Sequence, residues 1–140
     1  MAGKVEFASP EWFAATRAMF EAYAAVAPKD FEFSVCEVFT GVPAHLDRDG
    51  TGVIAWNFRI ADNRFHFAYG EADDVDMKTV SDYDFILWFA RTKIAPDTAA
   101  EYQARMQAGV EAGKVKRVGD GSKAPPELYA IHNDLADITA

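Results

Sequence analysis

The feature that most restricts the fold is a pair of adjacent segments, VIAWNFRI and RFHFAYG, in which apolar and polar residues alternate. Only the short loop ADN separates them. An alternation with period two is typical of half-buried β-strands, and so short a loop joins antiparallel neighbours. The segments therefore predict a hairpin with one apolar, mainly aromatic face: Ile54, Trp56, Phe58, Ile60, Phe65, Phe67 and Tyr69.

The remaining segments predict further strands and helices around this hairpin. A helix begins near ASPEW, where Ser9 can cap it and Pro10 suits its first position. FEFSVCEVF, VDMKTV and KVKRVGDGS read as strands, and the segments around FILWF, AEYQARM and ELYAIHNDL read as helices. The order α-β-β-β-β-α-α-β-α favours an α+β fold, with an antiparallel or mixed sheet covered by helices on one face. A length of 140 residues predicts one domain, residues 1–140.

Composition excludes several classes of function. The formal net charge of −8, from 22 acidic and 14 basic residues, argues against nucleic acid as a partner and against docking on anionic membranes. Because the first residues contain no long apolar stretch, we expect no signal peptide, and no apolar run approaches membrane-spanning length. The lone cysteine, Cys36, fits a reducing compartment. We therefore expect a cytoplasmic protein.

An acidic segment, residues 70–76, is the most conspicuous local feature, with carboxylates at Glu71, Asp73, Asp74 and Asp76. Calcium-binding loops place ligands at alternate positions around a sharp glycine and end in a glutamate at the twelfth position. The acidic segment has neither feature, so we predict a solvated turn and no metal site. Ser81, three residues before Asp84, is predicted to cap the following helix.

The motifs of common cofactor and metal sites are missing. The sequence has no G-x-G-x-x-G, no P-loop and no H-E-x-x-H, so we expect no cofactor. His66 alternates away from its aromatic neighbours, while His132 could face either the core or a pocket. Both are weak candidates for a catalytic base, and Cys36 is best explained as a packing residue.

Glu37 is the most unusual polar residue, because it shares a strand face with Phe33, Val35 and Phe39. An unpaired carboxylate in such surroundings costs several kcal/mol or stays protonated. We consider two explanations: an ion pair with Arg59 or Arg91, or a contact with a ligand hydroxyl.

The sequence as a whole resembles the sterol carrier protein 2-like family over about residues 8–138. The segment GVIAWNFRIADNRFHFAYGEADDVDMKTVSDYDFILWFA is similar to the family's central hairpin, the strand after it and the next helix. GKVKRVGD and APPELYAIHNDLA resemble its last strand and its terminal helix. The resemblance implies a five-stranded, mostly antiparallel sheet with helices over one face, and between them an apolar tunnel for sterols or fatty-acyl lipids. It implies no metal and no fixed catalytic set.

On this basis we expect a hydrophobic small molecule as the ligand. Aromatic and apolar side chains would line its cavity: Phe13, Phe20, Phe33, Trp56, Phe58, Phe67, Phe85, Trp88, Phe89 and Met106. Glu37, Asn57, Arg91 and His132 would provide the polar contacts.

Two other functions remain open. The first is a cofactor-free isomerase, dehydratase or hydratase acting on a steroid-like or polyketide-like substrate, with Glu37 and either His132 or His66 as its acid and base. The second is a helper subunit that stabilises a partner enzyme. A homodimer is also compatible with the sequence.

Overall fold

The structure is a computed structural model that describes residues 3–140. Its elements follow the predicted order: α1 Pro10–Val26, β1 Phe33–Thr40, β2 Val53–Ala61, β3 Arg64–Tyr69, β4 Met77–Asp82, α2 Tyr83–Arg91, α3 Ala99–Glu111, β5 Val115–Gly119 and α4 Glu127–Ile138. A 3-10 turn at Ala44–Leu46, between β1 and β2, is not among the predicted elements. The α+β fold class is confirmed.

The five strands form one sheet in the order β3-β2-β1-β4-β5. β1 pairs with β4 in parallel, and the other three neighbouring pairs are antiparallel. The sheet is thus mostly antiparallel, as expected. The parallel pair puts β1 at the centre, between the hairpin of β2 and β3 and the pair of β4 and β5.

The predicted hairpin is tied to the end of α1. Its two turn residues, Asp62 and Asn63, have φ angles of 52° and 60°, as a tight two-residue turn requires. The Asn63 side-chain amide donates hydrogen bonds to the carbonyl oxygens of Ala24 and Ala27, at 3.0 and 2.5 Å. These bonds satisfy carbonyl groups at the helix end that would otherwise lack a partner.

α1 packs on the hairpin through aromatic rings. The Ser9 hydroxyl accepts a hydrogen bond from the Trp12 backbone N–H at 3.2 Å, which confirms the predicted cap. Further along α1, Phe13 lies edge-on to Trp56 with ring centroids 5.7 Å apart, and Phe20 stacks on Phe65 at 5.2 Å. This packing keeps α1 on one face of the sheet.

The prediction that Ser81 caps α2 is wrong. Ser81 lies within β4, where it pairs with Phe39 of β1 and Val115 of β5. α2 starts at Tyr83, after Asp82. The strand continues two residues further than the sequence pattern indicates, because both neighbouring strands still offer partners at Ser81.

The acidic segment packs against the outer face of the sheet, the face opposite α1. The Ala72 N–H donates to the Cys36 sulfur at 3.4 Å, and Glu71 and Asp73 both hold the Lys78 ammonium group. These two carboxylates raise the pKa of Lys78. Within residues 3–140, no cluster of three histidine, cysteine or acidic side chains could hold a metal ion. The segment therefore covers β1 and neutralises Lys78.

No helix of residues 3–140 combines the length and the apolar character needed to cross a membrane.

Candidate functional site

A cavity of about 270 Å³ lies between the inner face of the sheet and all four helices. Its wall is mostly aromatic and aliphatic, with a few polar groups on the sheet side and among the helices. The lining residues are Phe7, Trp12, Thr16, Phe20, Phe33, Val35, Glu37, Phe39, Trp56, Phe58, Met77, Thr79, Ser81, Ile86, Phe89, Ala90, Tyr102, Met106, Arg117, Ala124, Leu128, Ile131, His132 and Leu135.

Four of these residues form a row across the sheet, which we call the Glu37 row. Glu37 of β1 is directly opposite Trp56 of β2 on one side and Thr79 of β4 on the other. Thr79 is in turn opposite Arg117 of β5. Side chains in directly opposed positions lie on the same face, with Cβ atoms about 5 Å apart. The register therefore places a carboxyl group, an indole, a hydroxyl and a guanidinium side by side.

Glu37 is the carboxyl group inside the cavity. Its side chain is half-buried and lines the cavity. Burial raises its pKa to about 7, although the Arg117 charge and a hydrogen bond from the Trp56 indole act in the opposite direction. Neither expected partner supplies this charge: Arg59 belongs to the opposite face of β2, and Arg91 is exposed, bonded to the Ala140 carbonyl oxygen. Arg117 is the cation that acts on it.

Two buried polar atoms behind the wall make no hydrogen bond of good geometry among residues 3–140: the Ser81 hydroxyl and the Trp56 indole nitrogen, although the latter is close enough to the Glu37 carboxylate to lower its pKa. Trp56 and Ser81 are only 3% and 1% exposed. By contrast, the Trp12 indole N–H donates to the Thr139 hydroxyl at 3.2 Å. Leaving such a group unpaired typically costs about 1–3 kcal/mol.

The helices contribute two titratable side chains that are both neutral near pH 7. Burial raises the pKa of Tyr102 to about 12, Arg117 opposes this shift, and Glu37 adds to it. Burial lowers the pKa of His132, against a hydrogen bond with the Thr92 carbonyl. His132 Nε2 lies 2.9 Å from that carbonyl oxygen, so this nitrogen carries the proton and donates it.

Eight of the predicted site residues lie on the cavity wall. They come from both predicted groups, the apolar lining and the polar contacts: Phe20, Phe33, Glu37, Trp56, Phe58, Phe89, Met106 and His132.

The other predicted aromatic residues pack elsewhere. Phe13 and Phe67 contact each other at 5.9 Å, within the packing of α1 on the hairpin. Phe85 and Trp88 lie on α2 and face α3: a Cβ atom added to Gly109 would overlap the Phe85 ring, and Trp88 contacts Tyr102 at 6.0 Å. These four are apolar contacts between elements, which periodicity alone does not distinguish from a cavity wall.

Two predicted polar contacts and one candidate base lie outside the cavity. Asn57 occupies the outer face of β2, and its amide donates to the Gly70 carbonyl at 2.9 Å. Arg91 is exposed at the end of α2, and His66 is exposed on β3, opposite Arg59. Alternation along β2 already separates Asn57 from Trp56 and Phe58, so the sequence contained the signal that Asn57 faces outward.

Sequence reasoning missed Thr79, Ser81, Tyr102 and Arg117. The alternation of β4 did put Thr79 beside Met77, but its partner strands were unknown. Only the parallel pairing of β1 with β4 brings Thr79 and Arg117 next to Glu37.

Neither a protein-family model nor a curated protein sequence matches the chain significantly. Solved structures do match it. A conserved hypothetical protein of Thermus thermophilus, described as a candidate sterol carrier protein, aligns with a TM-score of 0.52 and 14% identity, over 99% of this chain and 94% of that one. The chain has the sterol carrier protein 2-like fold.

Two further solved structures also match nearly the whole chain at low sequence identity. A crystal structure of sterol carrier protein 2 aligns with a TM-score of 0.48 and 15% identity, over 95% of this chain and 96% of that one. UbiJ-SCP2, a ubiquinone synthesis protein, aligns with a TM-score of 0.46 and 11% identity, over 98% and 100%.

Proposed function

We propose that this sterol carrier protein 2-like protein binds a hydrophobic small molecule, of the sterol or fatty-acyl type, in the cavity between its sheet and its helices. The observation that carries the proposal is a mostly apolar cavity of about 270 Å³, close to the lower limit of typical ligand pockets. Its fold supports the proposal, since a solved protein of the same fold is described as a candidate sterol carrier.

The size of the cavity favours a slim ligand. A volume of about 270 Å³ lies just below the range of about 300–1,000 Å³ that is typical of ligand pockets. A cavity at this end of the range suits a slim, flexible chain better than a broad, rigid ring system. We therefore place fatty-acyl-like chains ahead of sterols.

No observation favours the enzyme alternative in particular. Glu37 and His132 both reach the cavity, but the His132 Nε2 proton is already used by the Thr92 carbonyl. His66 lies on the other side of the sheet and cannot serve as the second group.

A substitution that fills the cavity tests the proposal. Met106 lies on the wall, on α3, and Val110 lies one turn further along the same helix and is 49% exposed. We expect Met106→Trp to weaken the binding of 1-decanol at least tenfold, because the larger ring occupies ligand space. The matched variant Val110→Trp should bind like the wild type.

The measurement is titration calorimetry, preceded by native mass spectrometry of the purified protein to detect a co-purified ligand and the oligomeric state. If 1-decanol, decanoate and decylamine all fail to bind the wild type, and no apolar molecule co-purifies, the proposal is wrong. Equal affinity of the two tryptophan variants would place the ligand outside this cavity.

A further inference from the structure

We infer, given the proposed function, that the ligand is an amphiphile with an anionic head group, a carboxylate or a phosphate, and that Arg117 binds this group where the cavity meets a groove. The groove has a volume of about 750 Å³ and is lined mainly by residues of α3, β5 and α4. Tyr102, Met106 and Arg117 line both the groove and the cavity. The apolar chain of the ligand would lie in the cavity and its head group in the groove.

Arg117 is the charged side chain at this junction, and a ligand can reach it. It is exposed on β5, an edge strand of the sheet. None of the salt bridges among residues 3–140 includes Arg117. Glu37 lies two strands away in the Glu37 row, beyond Thr79, so the two backbones are about 10 Å apart. The guanidinium therefore keeps its hydrogen-bond donors for a ligand.

The groove around Arg117 also suits an anion. Although the chain has a formal net charge of −8, no residue that lines the groove within residues 3–140 carries a carboxylate. Its polar side chains are amides and phenols, among them the exposed Gln103 and Tyr129. Amide N–H and phenol O–H groups donate hydrogen bonds, and a guanidinium can bind a carboxylate or a phosphate through two parallel ones. The groove thus offers donors and one positive charge.

The junction fits an amphiphile better than either compartment alone. A charged group in the apolar part of the cavity would lose its hydration without a partner, at a cost of several kcal/mol. At Arg117, which is exposed, the head group keeps part of its water while the chain is buried. A cationic head group would be repelled there. A neutral hydroxyl could accept from Arg117, but hydrogen bonds between charged groups are roughly twice as strong.

Ligands that share a decyl chain isolate the contribution of the head group. We propose titration calorimetry at pH 6, because Glu37, with a pKa of about 7, is then mostly protonated and does not compete for Arg117. Decyl phosphate and decanoate should each bind the wild type at least about tenfold more tightly than 1-decanol, the size of effect that a hydrogen bond to a charged group gives. Decylamine should bind more weakly than 1-decanol.

Inorganic phosphate distinguishes the head group of an amphiphile from a free anion. It has no apolar chain to bury in the cavity, so it should not displace decyl phosphate at an equal concentration. Displacement under these conditions would identify the groove as a site for free anions and overturn the assignment.

Two variants of β5 assign the effect to Arg117. Arg117→Gln removes the charge and should reduce the preference for decyl phosphate over 1-decanol at least about tenfold. Lys116→Gln is the matched control, because it removes one positive charge from the adjacent exposed position, and Lys116 lines neither the cavity nor the groove. Its preference should equal that of the wild type. Arg117→Lys keeps the charge but loses the two-pronged geometry, so its preference should be intermediate.

The outcomes separate this inference from the proposed function. If 1-decanol binds and Met106→Trp blocks it, but the anionic ligands bind no more tightly than 1-decanol, the head-group assignment is wrong while the cavity remains the binding site. An equal loss of preference in Arg117→Gln and Lys116→Gln would show that overall charge attracts the anion, and would also overturn the role of Arg117.

Discussion

Glu37 makes the stability of the folded protein depend on pH, because its carboxyl group is buried at the cavity wall. Its pKa is raised by burial from the usual 4.5 to about 7. The folded state therefore holds the Glu37 proton more tightly than the unfolded state, and this contribution to stability is fully present below pH 4.5. Stability decreases as the pH rises through 4.5 and stops decreasing above about 7, where Glu37 is ionised in both states.

We predict that Glu37→Gln abolishes this loss. A shift from 4.5 to about 7 corresponds to about 3 kcal/mol of unfolding free energy. Relative to the wild type, Glu37→Gln should therefore gain up to about 3 kcal/mol between pH 4.5 and pH 8.5. Urea denaturation of both proteins at the two pH values measures the difference. A gain that does not change with pH would contradict the assigned pKa.

Glu37 was identifiable from the sequence because it interrupts an apolar strand face. Its surroundings were not, since they depend on strands distant in the chain. Asp76 shows the same limit: it belongs to the conspicuous acidic segment, yet its carboxylate accepts a hydrogen bond from the Ser34 N–H at 2.9 Å. Burial raises its pKa, but the bonds from Ser34 and Lys123 outweigh this effect, and the net shift is downward. Nothing in the local pattern distinguishes Asp76 from its solvated neighbours.

Among the elements, α2 was predicted correctly as a helix, but two of its predicted cavity residues contact α3 instead of lining the cavity. The apolar run of α2 predicts a buried helix, and Phe89 does reach the cavity. Phe85 and Trp88 instead face α3, and Gly109 is the one buried residue of that helix. Periodicity indicates that a face is covered, but it does not tell whether another helix or a ligand covers it.

We predict that position 109 must be glycine, because the Phe85 ring leaves no space for a side chain there. In a free helix, Gly→Ala stabilises by about 1 kcal/mol. Here the added methyl group overlaps Phe85, and overpacking of this kind typically costs about 1–3 kcal/mol. We therefore expect Gly109→Ala to lower the free energy of unfolding.

A double-mutant cycle separates the contact from the effect on the helix itself. In a Phe85→Ala background the clash is absent, so Gly109→Ala should raise the free energy of unfolding by about 1 kcal/mol. Chemical denaturation of the four proteins measures both steps. The same sign of effect in both backgrounds would show that the Phe85 ring does not constrain Gly109.

Across the whole molecule, burial is greatest in the centre of the sheet, and α3 is the most exposed helix of the cavity wall. The central strand β1 is hydrogen-bonded on both sides and buried along most of its length. Most residues of α3 are exposed. The groove lined by α3, β5 and α4 shares Tyr102, Met106 and Arg117 with the cavity. These three side chains therefore separate the cavity from the outside.

This contrast predicts where the protein opens to admit a ligand. Regions with few buried apolar contacts open at a low free-energy cost, so α3 amides should exchange with deuterium at least about tenfold faster than those of β1 in the free protein. Saturating 1-decanol should slow exchange in α3, because the ligand contacts Tyr102 and Met106 from inside. β3, which contributes no residue to the cavity wall, should change little and provides the internal control. Equal protection of α3 and β3 would indicate general stabilisation of the fold, and exchange in α3 as slow as in β1 would exclude α3 as the opening.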